Sequence, residues 1–330
     1  MPYSRRTLRK LLEFLDGIDR AFLPQNVLIK VLNLLSKRSD PDSSKLRLLV
    51  TRLFPWNPLS KVDSDLPSID IYIFTHKKDL ELLPFALSGA LTSSSNPINT
   101  LNVVAPASLE IEILEVFQKF QFHSKFISDE SLFEKHLGQD GSTLPGVPKM
   151  EILKLLSALD SPSGISLLID GDTWLLRKRT WVTVDARILI LAQEYLKRHR
   201  LFNSEVLGID TDNGLGFVSH HQLAEKRILQ VWLAQVGGIE ILAQKIVETY
   251  GSYNNSDLAF PSEWQLIGAL TVHDVVKKTQ IAKFSNYGIS RDLLKWKMDD
   301  AHNSDDVENL LEKIRRSAPK LGSLSLHRYK

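Results

Sequence analysis

The chain has no cysteine. That excludes a disulfide scaffold, a thiolate metal site and a cysteine nucleophile. It agrees with a reducing compartment, and a cytoplasmic protein is expected. A strong charge of one sign is missing as well: 41 Lys and Arg against 39 Asp and Glu leave a formal net charge of +2. A dedicated nucleic-acid binder carries a basic excess or stripe, so no nucleic-acid partner is expected. No apolar run approaches the roughly 20 residues that a membrane-spanning helix needs. The N-terminus is basic (Arg5, Arg6, Arg9, Lys10), but Glu13 and Asp16 follow where a signal peptide would have its apolar core. It reads as a charged helix face, with a weak membrane-surface contact as the lesser alternative. Internal repeats and low-complexity segments are absent.

What is present is an ordinary globular composition over 330 residues, enough for one large domain or two moderate ones. The first part reads as helices only. Leu8, Leu11, Leu12 and Leu15 recur at helical spacing, as do Val27, Leu28, Val31, Leu32 and Leu35. A further helical stretch from Lys45 to Phe54 stops at Pro55-Trp56-Asn57-Pro58. Asp63 to Pro67 looks like a linker, so residues 1–66 are expected to form a helical N-terminal extension and residues 67–330 the main domain.

The texture changes at Ile69. Ile69 to Phe74 is a β-branched and aromatic run suited to a buried strand. Helices are expected at Asp79–Leu91, Leu109–Phe120, near Glu130 and at Met150–Leu159, alternating with strands at Leu101–Val104, Lys125–Ser128 and Ile165–Ile169. Such alternation implies right-handed crossovers and a largely parallel, Rossmann-like sheet flanked by helices, an α/β fold. Ligands in such sheets bind at the carboxyl ends of the strands. Beyond Asp172 the pattern loosens. Short strands are expected at Thr173–Leu176 and Trp181–Val184, then helices at Gln222–Gln235, Ile239–Tyr250, Glu263–His273 and Val307–Arg316.

The most informative segment is Leu167-Leu168-Ile169-Asp170-Gly171-Asp172-Thr173-Trp174. An apolar strand delivers two carboxylates to its carboxyl end. Side chains two apart on an extended chain share a side, so Asp170 and Asp172 can converge on one hard cation, magnesium or manganese. Such an ion would neutralise a diphosphate and make it a better leaving group. Gly171 leaves room for a ligand or a turn. The plain alternative is a solvated Asp-Gly turn. Two enzyme classes use the pattern. A haloacid-dehalogenase-like phosphatase would take Asp170 as nucleophile and Asp172 as general acid after its first strand. Here Thr173 stands one place too early for that motif, three strands precede it, and Gly208-Ile209-Asp210-Thr211-Asp212 is a poor second metal motif. A sugar-nucleotide transferase carries its Asp-x-Asp after a middle strand, and this position fits better.

Other stations fall in the same order. They are Phe74-Thr75-His76-Lys77-Lys78-Asp79-Leu80, Val103-Val104-Ala105-Pro106, Asp129-Glu130, Lys149 to Leu155, Gly216-Phe217-Val218-Ser219-His220-His221 and Phe260-Pro261-Ser262-Glu263-Trp264. With them, the chain resembles a bacterial, largely uncharacterised family of glycosyltransferase-like proteins of the GT-A fold, over roughly Ile69 to Arg291. Met150 and Glu151 stand where the family has paired glutamines, and Gln265 stands where it has an acid.

The resemblance implies a GT-A-like fold and transfer of a sugar from a nucleotide-sugar donor to a glycan or small-molecule acceptor. Thr75 and Asp79 would hold the nucleoside, with Lys78 and Lys154 toward the phosphates. Helix capping by Thr75 and Asp79 and solvation of Lys78 are the plain alternatives. For Lys154 it is snorkelling to solvent. His220, by its place in the motif, would join Asp170 and Asp172 on the cation, since neighbouring histidines on a strand point opposite ways. Glu263 or Asp257 would bind or deprotonate the acceptor hydroxyl, although Ser262 and Glu263 also read as the cap of a helix. Trp174, Trp181 and Trp264 are minor candidates for stacking on sugars. A non-catalytic nucleotide-binding or scaffold domain is the remaining alternative.

Overall fold

The computed structural model describes residues 25–36, 46–47, 50, 53–54, 59, 65–192, 197–208, 215–250, 259–283, 286–290, 294–318 and 321–327. Its centre is a five-stranded sheet. In chain order the strands are β1 (Ile69–Phe74), β2 (Ile98–Ala105), β3 (Lys125–Ser128), β4 (Ile165–Asp170) and β7 (His221–Glu225), and across the sheet they run β3-β2-β1-β4-β7. The first four are mutually parallel, and β7 pairs antiparallel with β4. The expected α/β class, with a largely parallel sheet flanked by helices, is the one observed.

The burial pattern explains why β1 reads as continuously apolar. Ile69, Ile71 and Ile73 face one core, together with Val103, Leu167 and Ile169. Tyr72 and Phe74 face the other, with Val104 and Leu168. A period of two places alternate residues on opposite faces, and helices cover both. The first face is covered by α2 (Leu83–Ser93), α3 (Glu110–Lys119) and α9 (Ser304–Ser317). The second is covered by α4 (Asp129–Leu137), α5 (Gly146–Asp160), α6 (Lys226–Val236), α7 (Ile239–Tyr250) and α8 (Glu263–His273). An N-terminal helix, α1 (Gln25–Ser36), packs Leu28, Leu32 and Leu35 into a third core shared with Leu189, Leu191, Phe217 and Ile281. The helix expected around Leu8 and most of the Lys45–Phe54 stretch lie outside the described residues.

Two expectations need correction. Gln222 does not begin a helix: Gln222 to Glu225 extend β7 along β4, and the helix starts at Lys226. The apolar spacing of the run continues through both elements, which concealed the change. Trp181 to Val184 is not a strand. The strand is β6 (Ala186–Leu191), and it pairs in parallel with β8 (Lys278–Lys283). A further small sheet of β5 (Thr173–Leu175), β10 (Ser323–His327) and β9 (Asn286–Ser290) was not anticipated beyond β5. Ser323 and Ser325 in β10 break the apolar signal although both are buried.

Two buried charges tie the sheet together at the end away from the strands' carboxyl termini. Asp70 is fully buried in β1. It accepts from Asn99 (2.8 Å), Thr100 (2.7 Å), Ser161 (2.5 Å) and the Ser163 N–H (2.8 Å). Arg187, also fully buried, donates to Glu225 (2.8 Å) and Asp274 (2.7 Å) and so joins β6, β7 and the end of α8.

Burial raises the Asp70 carboxyl pKa, but its four hydrogen bonds outweigh burial and hold it below the ordinary value. Its contribution to stability is therefore present above the ordinary carboxylate range and lost as pH falls through its own lowered pKa. Asp70→Asn is expected to destabilise the protein by about 2–4 kcal/mol at neutral pH. Urea unfolding from pH 7 down to pH 3 checks this: the gap between variant and wild type should narrow only at the acid end.

Candidate active site

The carboxyl ends of β1 and β4 lie side by side, with Phe74 paired to Asp170. The chain turns there so tightly that the Gly171 N–H donates to the Phe74 carbonyl at 2.7 Å. A Cβ at Gly171 would stand 2.6 Å from that oxygen, so only glycine allows the approach. The room Gly171 leaves is thus taken up by the chain's own backbone.

Above this junction opens a cavity of about 560 Å³. It is lined by Thr75, Lys78, Asp79, Lys154, Asp170, Asp172 and His220, all read as candidates from the sequence. His76, Gly146, Val147, Met150 and Tyr250 line it too and were not anticipated. Gly146 and Val147 open α5, so the positive end of a 15-residue helix borders the cavity. Pro145, immediately before the helix, was the available signal.

Each candidate side chain has a definite place. Thr75 is buried, its N–H donates to Val104 O (3.0 Å), and its Oγ1 has no hydrogen-bond partner among the described residues. Asp79 sits in a 3-10 turn, Lys77–Leu82, and its carboxylate lies 3.7 Å from the exposed Lys78 ammonium. Neither Thr75 nor Asp79 caps α2, whose N-cap is Leu82.

Lys154 does not snorkel outward. It is buried on α5, with its Nζ 2.6 Å from Asp170 Oδ1 and 2.5 Å from Glu263 Oε1. The ammonium also sits over the Trp264 ring, 4.2 Å from its centroid. Burial lowers its pKa, but the two carboxylates more than compensate and hold it well above the ordinary lysine value. Asp170 responds in the opposite sense. Burial raises its pKa, and Lys154 and His220 outweigh that and keep it ionised below the usual range.

His220 reaches the other Asp170 oxygen, Nδ1 to Oδ2 at 3.0 Å. It does so from a left-handed backbone, φ 60°, a conformation that favours glycine and is unusual for histidine. The kink turns the imidazole toward β4 just before β7 begins. Burial pulls its pKa down, but the Asp170 hydrogen bond and charge raise it above the ordinary histidine value. His221 points the other way, fully buried, edge-on to Trp181 at 5.9 Å.

The expected magnesium or manganese ligand set of Asp170, Asp172 and His220 does not fit this arrangement. Both Asp170 oxygens already accept from cationic or imidazole donors. Among the described residues, no three carboxylate or imidazole groups are gathered as a cation's ligands.

Glu263 also departs from its expected role. It is buried and does not line the cavity, and its carboxylate is bound to Lys154. It therefore positions Lys154 and is not placed to deprotonate an acceptor. Ser262 does cap α8, accepting from the Gln265 N–H at 3.4 Å. Behind this pair, burial and the Glu263 charge push the Glu151 carboxyl well above its usual range, which favours the neutral form. Gln265 accepts from the Phe217 N–H (3.0 Å) and donates to Leu215 O (3.0 Å), a two-way clamp that a carboxylate cannot make. Asp257 lies outside the described residues. Trp174 stacks on Phe85 in the core and Trp181 is fully buried, so neither presents a face to a sugar.

No family model matches the chain, and no curated protein matches it in sequence. Similar solved structures include mouse xyloside xylosyltransferase 1 in its apo form, at 12% identity and a TM-score of 0.42, covering 78% of this chain and 97% of that one. The galactosyltransferase LgtC with donor and acceptor sugar analogues is similar at 11% identity and a TM-score of 0.39, covering 78% of this chain and 87% of that one. The bifunctional glycosyltransferase WbbM, apo, is similar at 7% identity and a TM-score of 0.42, covering 82% of this chain and 47% of that one. These are distant likenesses of overall shape, and nothing about substrate or residue roles follows from them.

Burial, with the nearby Arg179 charge, pushes the His221 pKa down to about 3. An unfolded chain regains the ordinary value near 6.5, so it takes up a proton in acid that the folded chain refuses. Stability is therefore fully present above that range and falls as pH drops through it, by about 1.4 kcal/mol per pH unit for one proton. In His221→Leu this contribution to the acid limb of a denaturation-versus-pH curve should disappear. An unchanged limb would show that His221 protonates in the folded state.

Proposed function

We propose that this protein transfers a sugar from a nucleotide-activated donor to an acceptor hydroxyl. One observation carries the reading. Residues from separate sequence stations, Thr75, Lys78, Asp79, Lys154, Asp170, Asp172 and His220, line one cavity at the carboxyl ends of β1 and β4. That is where α/β sheets bind their ligands, and about 560 Å³ accommodates a nucleotide-sized molecule.

The chemistry of the lining divides by region. Thr75 Oγ1 and the Asp79 carboxylate suit the hydroxyls and base edge of a nucleoside. The amino end of α5, the cations Lys78 and Lys154 and the His220 imidazole suit a diphosphate. Asp172 is a carboxylate at the cavity wall that can accept from sugar or ribose hydroxyls. In the transfer, the anomeric carbon passes from the diphosphate oxygen to the acceptor oxygen. The nucleoside diphosphate leaves, and the acceptor hydroxyl gives up its proton. Donors fixed in advance against the leaving diphosphate act where negative charge develops.

A phosphatase reading would need Asp170 as a free nucleophile, and both of its oxygens are engaged. Titration calorimetry with a panel of uridine, guanosine, adenosine and thymidine diphosphates tests the transferase reading. At least one should bind. Thr75→Val and Asp79→Asn should each weaken that binding about tenfold, the equivalent of roughly 1.4 kcal/mol. Inorganic pyrophosphate should bind both variants as it binds the wild type. If no nucleoside diphosphate binds and no nucleotide-sugar is hydrolysed, the reading is wrong.

A further inference from the structure

Lys154 is held on three sides. Its Nζ bridges Asp170 (2.6 Å) and Glu263 (2.5 Å), and it lies on the face of Trp264 at 4.2 Å, with Phe74 at 5.9 Å. The stem rises from a stretch of α5 in which Ile152, Leu153, Leu155 and Leu156 are all buried, and the side chain borders the cavity. Glu263 is buried and starts α8 behind a Ser262 cap, so the second anchor is as firmly seated as the first. His220 occupies the remaining Asp170 oxygen at 3.0 Å. The first carboxylate of the Asp-Gly-Asp turn thus enters the cavity already paired on both oxygens.

We infer that Lys154, anchored by Glu263, competes with divalent cations for Asp170 and keeps the free protein from holding magnesium or manganese there. A dication on Asp170 would have to displace the ammonium or sit within a few ångströms of it. Like charges at that range repel strongly even in a partly aqueous site. Displacement would leave Glu263 buried without its partner, an arrangement that proteins avoid. The role of Glu263 follows from the same geometry: it is a positioning residue that acts through Lys154.

The inference takes the cation's relevance from the nucleotide-sugar reading and its content from the ion pairs alone. The test is manganese binding to the full chain without nucleotide, read by electron paramagnetic resonance of free manganese. Wild type should bind no tighter than the millimolar range. Lys154→Met should bind at least about tenfold more tightly, because the competing charge is gone. Glu263→Gln should move the same way by less, because it loosens the ammonium and does not remove it. Circular dichroism confirms that each variant is folded. Micromolar manganese binding by wild type overturns the inference whatever the variants do. So does a folded Lys154→Met that binds no better than wild type. If Lys154→Met does not fold, Glu263→Gln decides by the same criterion. The nucleotide calorimetry stands apart: its failure would leave the manganese result intact, and a wild type with tight manganese binding would leave nucleotide recognition intact.

Discussion

The buried ammonium of Lys154 is the interaction on which the site depends. One cation, delivered by α5, joins the end of β4 through Asp170 to the start of α8 through Glu263. The start of α8 is far along the chain from the other two, and the helix and sheet packing brings it to them. A charge so buried persists only where partners compensate its lost hydration. Asp170, Glu263 and the Trp264 face supply that compensation, and His220 balances the far side of Asp170. The left-handed backbone at His220 is the local strain that this arrangement sustains.

The opposite end of the sheet repeats the principle with other residues. Asp70 and Arg187 are both fully buried charges, and each is satisfied by several partners drawn from different elements. Asp70 gathers β1, β2 and the turn before β4, and Arg187 gathers β6, β7 and the end of α8. Between these clasps the apolar faces of β1 and β4 carry the packing. The strands' carboxyl ends are left free to open into a cavity. The tight passage at Gly171 keeps β1 and β4 close enough for Thr75, Asp170 and Asp172 to line it together.

Glu263 shows how a local signal can be complete and still mislead. Its position after Ser262 at a helix start reads correctly as a cap. The family resemblance implied a base, but its carboxylate faces inward to Lys154. Gln265 shows the converse. Its departure from the family pattern is accounted for by the two hydrogen bonds that clamp the Leu215–Phe217 segment. Long-range partners of this kind leave no periodic trace in a sequence.

By itself, the sequence determined the alternation of strands and helices from Ile69 to Ile169, because period-two and helical burial patterns are local. It also determined that Asp170 and Asp172 follow an apolar strand. Tertiary structure alone decided the rest. It turned Gln222 to Glu225 into a strand, since antiparallel pairing with β4 overrides helical spacing. It filled the space at Gly171 with backbone, and it placed an ammonium on Asp170 where a metal was expected. The physical reason is the same in each case. Pairing, close approach and charge compensation depend on which residues meet across the fold, and that information is distributed over separate segments of the chain.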